Sequence, residues 1–227
     1  MSESAEPTTE GAARPAESAS ATTEATSPVP ETLEAETESA GPMTETAGAT
    51  AGNACLRILH LVAEEEMPGE AERVLSLVER LAKLGHTQSL MAAADSAIEA
   101  EARSRGLEVA PLSLPSIAQM SRGFDLVHAH DSRAHSMAAA TARAPVVASR
   151  RIAKPVLRSP AARWKYRRTA HFIAASHEVE TLLLNAGIAP ERVSVVCDSV
   201  DPARAAEETL GVYRRVLEPP QPESSSS

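Results

Sequence analysis

Short apolar runs alternate with amphipathic segments from residue 56 onward. Leu56–Val62 is rich in branched apolar residues, which predicts a strand buried on both faces, and Thr87–Ala93 is predicted as a second strand. Between them, Ala71–Leu84 places apolar residues three and four positions apart, which predicts a helix ended by Gly85. Because strands and helices go on alternating, the pattern predicts an α/β fold with a doubly wound parallel sheet.

The rest of the chain continues this alternation. Asp95 and Asp131 are predicted helix N-caps, and Gly106 and Gly187 are predicted helix ends. The further predicted strands cover 107–114, 124–130, 145–149, 171–175 and 194–197, and the further predicted helices cover 96–105, 116–121, 132–143, 159–169 and 178–185. In the last helix, within 202–218, the spacing of the apolar residues predicts a face packed on the sheet domain; they are Ala206, Leu210, Tyr213 and Leu217.

Composition separates the first 54 residues from the rest. They contain ten glutamates and one arginine, a balance equal to the net charge of −9 of the whole chain, so the remainder is neutral. Few large apolar side chains are present, which predicts a disordered acidic extension. The expected organisation is a disordered tail (1–54), a Rossmann-like domain (55–201), a helix packing back on it (202–218) and a disordered end (219–227).

Several protein classes are disfavoured by the sequence. No secretory signal pattern opens the chain, and no apolar run is long enough for a membrane span, which favours a cytoplasmic protein. Cys55 and Cys197 have no metal-ligand or redox spacing and are expected to be small buried residues near strands. No dinucleotide fingerprint, Walker loop or nucleophile elbow follows a predicted strand, which argues against an unrelated nucleotide binder or hydrolase.

Polar residues collect after the fourth and fifth predicted strands, where the carboxyl edge of a parallel sheet usually binds ligands. His128 and His130 alternate on one strand and should point to the same face. We expect His128 to be a hydrogen-bonded core residue, and His130 with Asp131 to be the candidate catalytic residues in the cleft. His135 lies close enough in sequence to suggest a metal site, but the group has no standard ligand pattern, so no metal is expected.

A basic segment follows. Between residues 141 and 168 the chain has nine basic residues and no acidic one. Three interpretations stay open: a solvated helix face, a site for an anionic acceptor such as a phosphorylated saccharide or lipid, and contact with an acidic membrane surface. Nucleic acid is not expected as a partner, because the chain as a whole is acidic. The acidic tail is a further candidate to cover this segment.

Several motifs together resemble the N-terminal, acceptor-side half of the GT-B glycosyltransferases of the subfamily-4-like group. They are LRILHLV, LAKLGH, FDLVHAH, PVVASRR, RWKYRRTAHFIAAS and AGIAPERVSVVCDSVD, in this order over about 145 residues. The resemblance implies a single GT-B half that takes part in sugar transfer from a nucleotide sugar, as co-substrate without other cofactor, to a glycan or lipid-linked acceptor. It also implies that 202–218 is the terminal helix that returns from a donor domain, which is missing before it.

Two positions depart from the family pattern. The Gly-Gly-x-Glu motif reads Gly69-Glu70-Ala71-Glu72, so Glu70 puts a carboxylate where glycine permits close approach of a ligand. Arg151 stands where many relatives have a histidine, and a guanidinium cannot act as a general base, although it can bind an anion. The acceptor- or anion-binding residues implied by the resemblance are Gly69, Glu70, Arg133, Arg150, Arg151, Lys154 and Ser176.

Two functions follow from these features as expectations. The first is an acceptor-side domain that is inactive alone and acts with a separate donor-domain protein or as a homodimer, in peripheral contact with the inner face of an acidic membrane. The alternative is a non-catalytic, degenerate glycosyltransferase-like binding or scaffold protein. Catalysis would require donor and acceptor to be held together in a closed cleft.

Overall fold

The fold is built on one parallel sheet of seven strands in the order β3-β2-β1-β4-β5-β6-β7. The computed structural model describes residues 54–64, 68–153, 159–197 and 201–218. Successive strands run outward from β1 in both directions, so the direction of winding reverses between β1 and β4. The predicted doubly wound, Rossmann-like α/β fold is therefore confirmed.

The strands and helices alternate along the chain. The strands are β1 (Arg57–Val62), β2 (Thr87–Ala92), β3 (Val109–Pro111), β4 (Leu126–Ala129), β5 (Val146–Arg150), β6 (His171–Ala174) and β7 (Val193–Val195). The helices are α1 (Pro68–Lys83), α2 (Ala97–Ser104), α3 (Leu114–Met120), α4 (Ser132–Thr141), α5 (Pro160–Arg167), α6 (His177–Asn185) and α7 (Pro202–Leu217).

Two of the sequence predictions are wrong in detail. The cap of α2 is Ser96, whose Oγ accepts the backbone N–H of Glu99 at 3.3 Å. Asp95 instead forms the preceding turn, with a positive φ of 58°. The third strand ends at Pro111 instead of residue 114, because Ser113 already caps α3. A serine in extended backbone followed by a proline in the first turn favours a helix start over a strand.

The two faces of the sheet carry separate apolar cores. On one face Leu59 and Val127 pack with the small residues of α4. On the other, Ile58 and Leu126 pack with α7. Ala206, Leu210 and Tyr213 of this helix are buried and Leu217 is partly buried, as the periodicity predicted.

Tyr213 fixes α7 to the centre of the sheet. Its side chain is fully buried, and its hydroxyl lies 2.6 Å from Nδ1 of His128 on β4. The other nitrogen of His128, Nε2, lies 2.8 Å from Oγ of Ser149 on β5. His128 is therefore a hydrogen-bonded core histidine, as predicted.

Both cysteines are exposed, which corrects the expectation that they are buried. Cys55 precedes β1 and Cys197 follows β7, so each lies just beyond the part of a strand that the helices cover. Within the described ranges, no helix is long and apolar enough to cross a bilayer. The predicted tails, residues 1–53 and 219–227, lie outside the described residues, as do Lys154 and Arg158.

Candidate functional site

A cavity of about 550 Å³ opens at the carboxyl edge of the sheet, where β1, β4 and β5 end. This is the side on which open parallel sheets bind ligands. Its polar lining comes from three strand ends and from α1, α4 and α5, and consists of Glu64, Glu70, His130, Asp131, Ser132, His135, Ser136, Ser149, Arg150, Arg151, Ser159, Lys165 and Tyr166. Ile152, Trp164 and Phe172 add apolar surface.

The carboxylate of Asp131 connects the segment after β1 to the start of α4 at the base of the cavity. Its Oδ1 accepts the backbone N–H of Ala134 at 2.7 Å, which makes it the N-cap of α4, as predicted. Its Oδ2 accepts the N–H groups of Ala63 at 2.6 Å and Glu64 at 3.3 Å, beyond the end of β1. Three N–H donors thus contact the two oxygens, so Asp131 holds the end of β1 against the start of α4, and its catalytic role stays a prediction.

His130 lies at the end of β4 with 4% of its surface exposed. Its Nε2 lies 2.9 Å from Nδ1 of His60 on β1, while its Nδ1 is buried and has no hydrogen-bond partner among the described residues. Burial, followed by the neighbouring His128, His60 and Arg151, lowers the pKa of His130 well below its ordinary value. The imidazole is therefore neutral at neutral pH and is a hydrogen-bond acceptor more than a proton-abstracting base.

Glu70 and Arg151 face each other beside His130. Oε1 of Glu70 lies 4.0 Å from Nε of Arg151. Burial raises the pKa of Glu70, and the charge of Arg151 opposes this rise. The Arg151 guanidinium also donates to the backbone oxygen of His130 at 3.3 Å. The two positions that depart from the family pattern are thus neighbours in space.

A cationic wall forms where α5 meets the end of β5. Burial lowers the pKa of Lys165, and the positive charge of Arg150 lowers it further. Nζ of Lys165 lies 3.2 Å from Oγ of Ser136, and Arg150 forms a hydrogen bond with the side chain of Tyr166. Because two like charges repel each other here, an anion bound between them would be stabilised.

Most of the other basic residues of the segment lie outside the cavity. Arg143, Arg163, Arg167 and Arg168 are exposed. The guanidinium of Arg168 lies 5.9 Å from the ring centre of Trp164. The exposure of these four residues agrees with the solvated-face interpretation, whereas Arg150 and Lys165 line the cavity and leave the anion-site interpretation open for this pair.

The structure brings only some of the predicted site residues together. His130, Asp131, Glu70, Arg150 and Arg151 line the cavity. Gly69, Arg133 and Ser176 are not among the lining residues, and Lys154 lies outside the described ranges.

The three residues that do not line the cavity have other surroundings. Ser176 caps α6, where its Oγ accepts the N–H of Val179 at 3.3 Å. Arg133 is exposed on α4. A Cβ added to Gly69 would meet nothing within 4 Å, so nothing packs closely against this glycine.

Sequence reasoning missed Ser149 and His135 as site residues. Ser149 lies near the end of β5, and the carboxyl-edge rule applied to that strand would have indicated it. His135 is buried on α4, with its Nε2 2.7 Å from the hydroxyl of Thr169, and its ring stacks with Tyr166. Burial lowers the pKa of His135 to about 3, so the second histidine of the cavity is also neutral.

The metal group considered from sequence does not assemble, because Asp131 caps α4 and His135 faces Thr169. Among the described residues, the one group with metal-ligand spacing is His60, His128 and His130, in which one nitrogen from each of the rings lies within 4.8 Å of the other two. Five of the six ring nitrogens in this group have a hydrogen-bond partner in the protein. A cation would have to displace such bonds, so the contacts favour a hydrogen-bonded network.

Comparison with known proteins finds one matching family model and several solved structures with a similar fold. The family model described as Glycosyltransferase Family 4 matches residues 69–204. Similar solved structures include Alr3699/HepE of Anabaena in complex with UDP, at 20% identity and a TM-score of 0.52, covering 70% of this chain and 50% of that one. A glycosyltransferase from Rickettsia africae ESF-5 has 18% identity and a TM-score of 0.51, covering 74% and 51%. The chain therefore spans about half the length of these structures. No curated protein matches it significantly.

Proposed function

Because the chain belongs to Glycosyltransferase Family 4, we propose that it is the acceptor-binding half of a glycosyltransferase. In this proposal a sugar passes from a nucleotide sugar to an anionic glycan or lipid-linked acceptor, and a donor domain is supplied by a partner. The observation that carries the proposal is the cavity at the carboxyl edge of the sheet, with its cationic wall and its many hydroxyl groups.

The class of acceptor follows from the lining. Arg150 and Lys165 offer charge-assisted hydrogen bonds to a phosphate or carboxylate, which are about twice as strong as bonds between neutral groups. Ser132, Ser136 and Ser149 offer donors and acceptors for saccharide hydroxyls. Such a mixture of charged and hydroxyl groups suits a phosphorylated saccharide better than an uncharged sugar.

The donor half is the part that this chain does not supply in its described residues. Only six residues separate β7 from α7, which is too short a connection for a second domain. The Anabaena relative was solved with UDP, and a nucleotide sugar is accordingly the co-substrate we propose, with no other cofactor. A separate donor-domain protein or a second copy of the chain would complete the cleft.

A peripheral contact with an acidic membrane is part of the same proposal. Trp164 and Ile152 at the cavity are 44% and 48% exposed, and exposed arginines surround Trp164 on α5. Exposed aromatic and basic residues together favour the surface of an anionic bilayer. A lipid-linked acceptor would then reach the cavity from the cytoplasmic face.

A second candidate is a non-catalytic binding protein. Three observations favour it: burial lowers the pKa of both cavity histidines and makes them weak bases, Asp131 accepts three N–H bonds, and Glu70 lies beside Arg151. This candidate has the same acceptor site but performs no transfer. A turnover assay with a nucleotide sugar, an acceptor and a donor-domain partner separates the two candidates.

The acceptor site is tested by calorimetric titration with glucose 1-phosphate, glucose and inorganic phosphate. The double variant Arg150→Gln/Lys165→Gln should weaken binding of the sugar phosphate about 10- to 100-fold, because both cationic partners of the phosphate are lost. Each tenfold change in the dissociation constant equals about 1.4 kcal/mol of binding free energy. The matched control is Arg163→Gln/Arg167→Gln, which removes two exposed charges from α5, the helix that carries Lys165. Equal weakening in both double variants would show that only the general positive charge of this region matters and would overturn the proposed site.

A further inference from the structure

A chain of three hydrogen-bonded side chains crosses the sheet beneath the site. Oε1 of Gln88 on β2 lies 2.7 Å from Nε2 of His60 on β1. Nδ1 of His60 lies 2.9 Å from Nε2 of His130 on β4. Both imidazoles are buried, with 0% and 4% of their surface exposed. The sheet order β2-β1-β4 places these three residues on adjacent strands.

The direction in which these hydrogen bonds are donated determines which nitrogen of each ring carries its proton. Burial lowers the pKa of His60 to about 4 and that of His130 well below its ordinary value, so both rings are neutral at pH 7 and carry one N–H each. If Nε2–H of His60 donates to the Gln88 oxygen, Nδ1 of His60 is an acceptor. His130 must then hold its proton on Nε2, and its Nδ1 carries a lone pair.

The opposite direction is also consistent with the spacing of the atoms. The amide of Gln88 would turn and donate, and both imidazoles would carry their proton on Nδ1. The two ends of this row of hydrogen bonds, Nε2 of Gln88 and Nδ1 of His130, are both buried, and within the described part of the protein neither has a partner. Each direction therefore leaves one unpaired donor and one unpaired acceptor, and the surroundings of His130 decide between them.

The surroundings of His130 favour the tautomer in which its Nδ1 carries the lone pair. The guanidinium of Arg151 donates to the backbone oxygen of His130, so a positive charge lies beside this ring. A positive charge attracts a nitrogen lone pair and repels an N–H group. His130 also borders the cavity, where hydroxyl groups of a saccharide would be the available donors.

We propose that His130 accepts a hydrogen bond from a ligand hydroxyl through Nδ1, and that His60 and Gln88 are positioning residues that set its tautomer. The inference deepens the proposed function, because the ligand is the acceptor saccharide of the same cavity. No proton needs to leave the ligand: the ring orients a hydroxyl and remains neutral. The cost of the unpaired acceptor in the free protein is recovered when the hydroxyl binds.

The tautomers are measured first, on the full chain without ligand. Long-range ¹H–¹⁵N spectra of histidine-labelled protein at pH 7 distinguish protonated from unprotonated ring nitrogens. The expected result is that His60 and His130 both carry the proton on Nε2. Protonation of His130 on Nδ1 would overturn the proposal, and so would stoichiometric binding of Zn²⁺ that shifts the signals of all three clustered histidines.

A pair of substitutions then tests the role of Gln88. Gln88→Leu removes the acceptor, and His130 should become a mixture of tautomers. Gln88→Glu supplies a carboxylate, which only accepts while it is ionised, and His130 should keep its proton on Nε2 at any pH where His60 is still neutral. Gln119→Leu, an exposed position on α3, is the matched control. An unchanged His130 tautomer in Gln88→Leu would refute the positioning role.

Ligand binding is the last readout. Gln88→Leu should weaken binding of glucose 1-phosphate several-fold and leave binding of inorganic phosphate unchanged, because inorganic phosphate has no saccharide hydroxyl to reach His130. Equal weakening of both would contradict the assignment. If the wild type binds no sugar phosphate at all, the proposed acceptor fails. The tautomers are still read in that case, so the two failures can be distinguished.

Discussion

The substitution Tyr213→Phe isolates the hydrogen bond that fixes α7 to the sheet. The hydroxyl lies 2.6 Å from Nδ1 of His128, and the tyrosine side chain is fully buried. Phenylalanine keeps the ring and its packing, but it leaves a nitrogen of a buried imidazole without a partner. Leaving a buried polar group unsatisfied costs about 1–3 kcal/mol.

The free energy of unfolding should therefore fall by about 1–3 kcal/mol. For a domain of this size each kcal/mol lowers the melting temperature by about 2–4 °C. Urea unfolding followed by circular dichroism measures the change directly, with an unchanged dependence on urea concentration if the native fold is kept.

The chain provides a matched control, because Tyr166 is the one other tyrosine in the sequence. Its side chain is half-buried at the cavity, so Tyr166→Phe should cost less than about 1 kcal/mol. A loss in Tyr213→Phe no greater than in Tyr166→Phe would refute the reasoning. It would mean that His128 finds another partner and that α7 is held by apolar contacts alone.

Three further predictions follow from the site. Burial lowers the pKa of His60 to about 4 and that of His135 to about 3, so below pH 6.5 the unfolded chain binds more protons than the folded protein. The free energy of unfolding should therefore fall as the pH is lowered from 6.5 towards 4. A constant free energy of unfolding down to pH 5 in urea titrations would contradict this. Asp131→Ala should lower the free energy of unfolding by about 2–4 kcal/mol, because it removes the cap of α4 and leaves backbone N–H groups at the end of β1 unpaired. A loss below about 1 kcal/mol in urea unfolding would contradict this role of Asp131. Glu70→Gln removes the anion beside Arg151 and should tighten binding of pyrophosphate about tenfold in calorimetry, whereas unchanged affinity would show that the two residues do not compete for one site.

Much of the fold could be predicted because its signals are local. The mainly apolar run Leu56–Val62 around β1 and the three- and four-residue spacing in α1 need no knowledge of distant residues. The cap formed by Asp131 is likewise a contact with a residue three positions later. The cap of α2 was misassigned by one residue, because Asp95 and Ser96 are both good caps and only the backbone angles separate them.

The site was harder to predict because it depends on strand register and on packing between distant segments. The pairing of His60 with His130 joins positions 70 residues apart and requires β1 to lie beside β4. Glu70 and Arg151 likewise lie close together only because the fold brings the start of α1 next to the end of β5. Ser176 was expected at the site from the family resemblance alone, and in the structure it follows β6, away from the β1–β4 junction, and caps a helix.

The central claim is that the cavity binds the acceptor and that the donor site lies elsewhere. A thermal-shift series with nucleoside-diphosphate sugars, free nucleotides and phosphorylated sugars tests it most directly, because a ligand that binds only the folded state raises the melting temperature. We predict that phosphorylated sugars raise the melting temperature, that the shift disappears in Arg150→Gln/Lys165→Gln, and that nucleotide sugars have no effect. A clear shift with a nucleotide sugar in the chain alone would contradict the account.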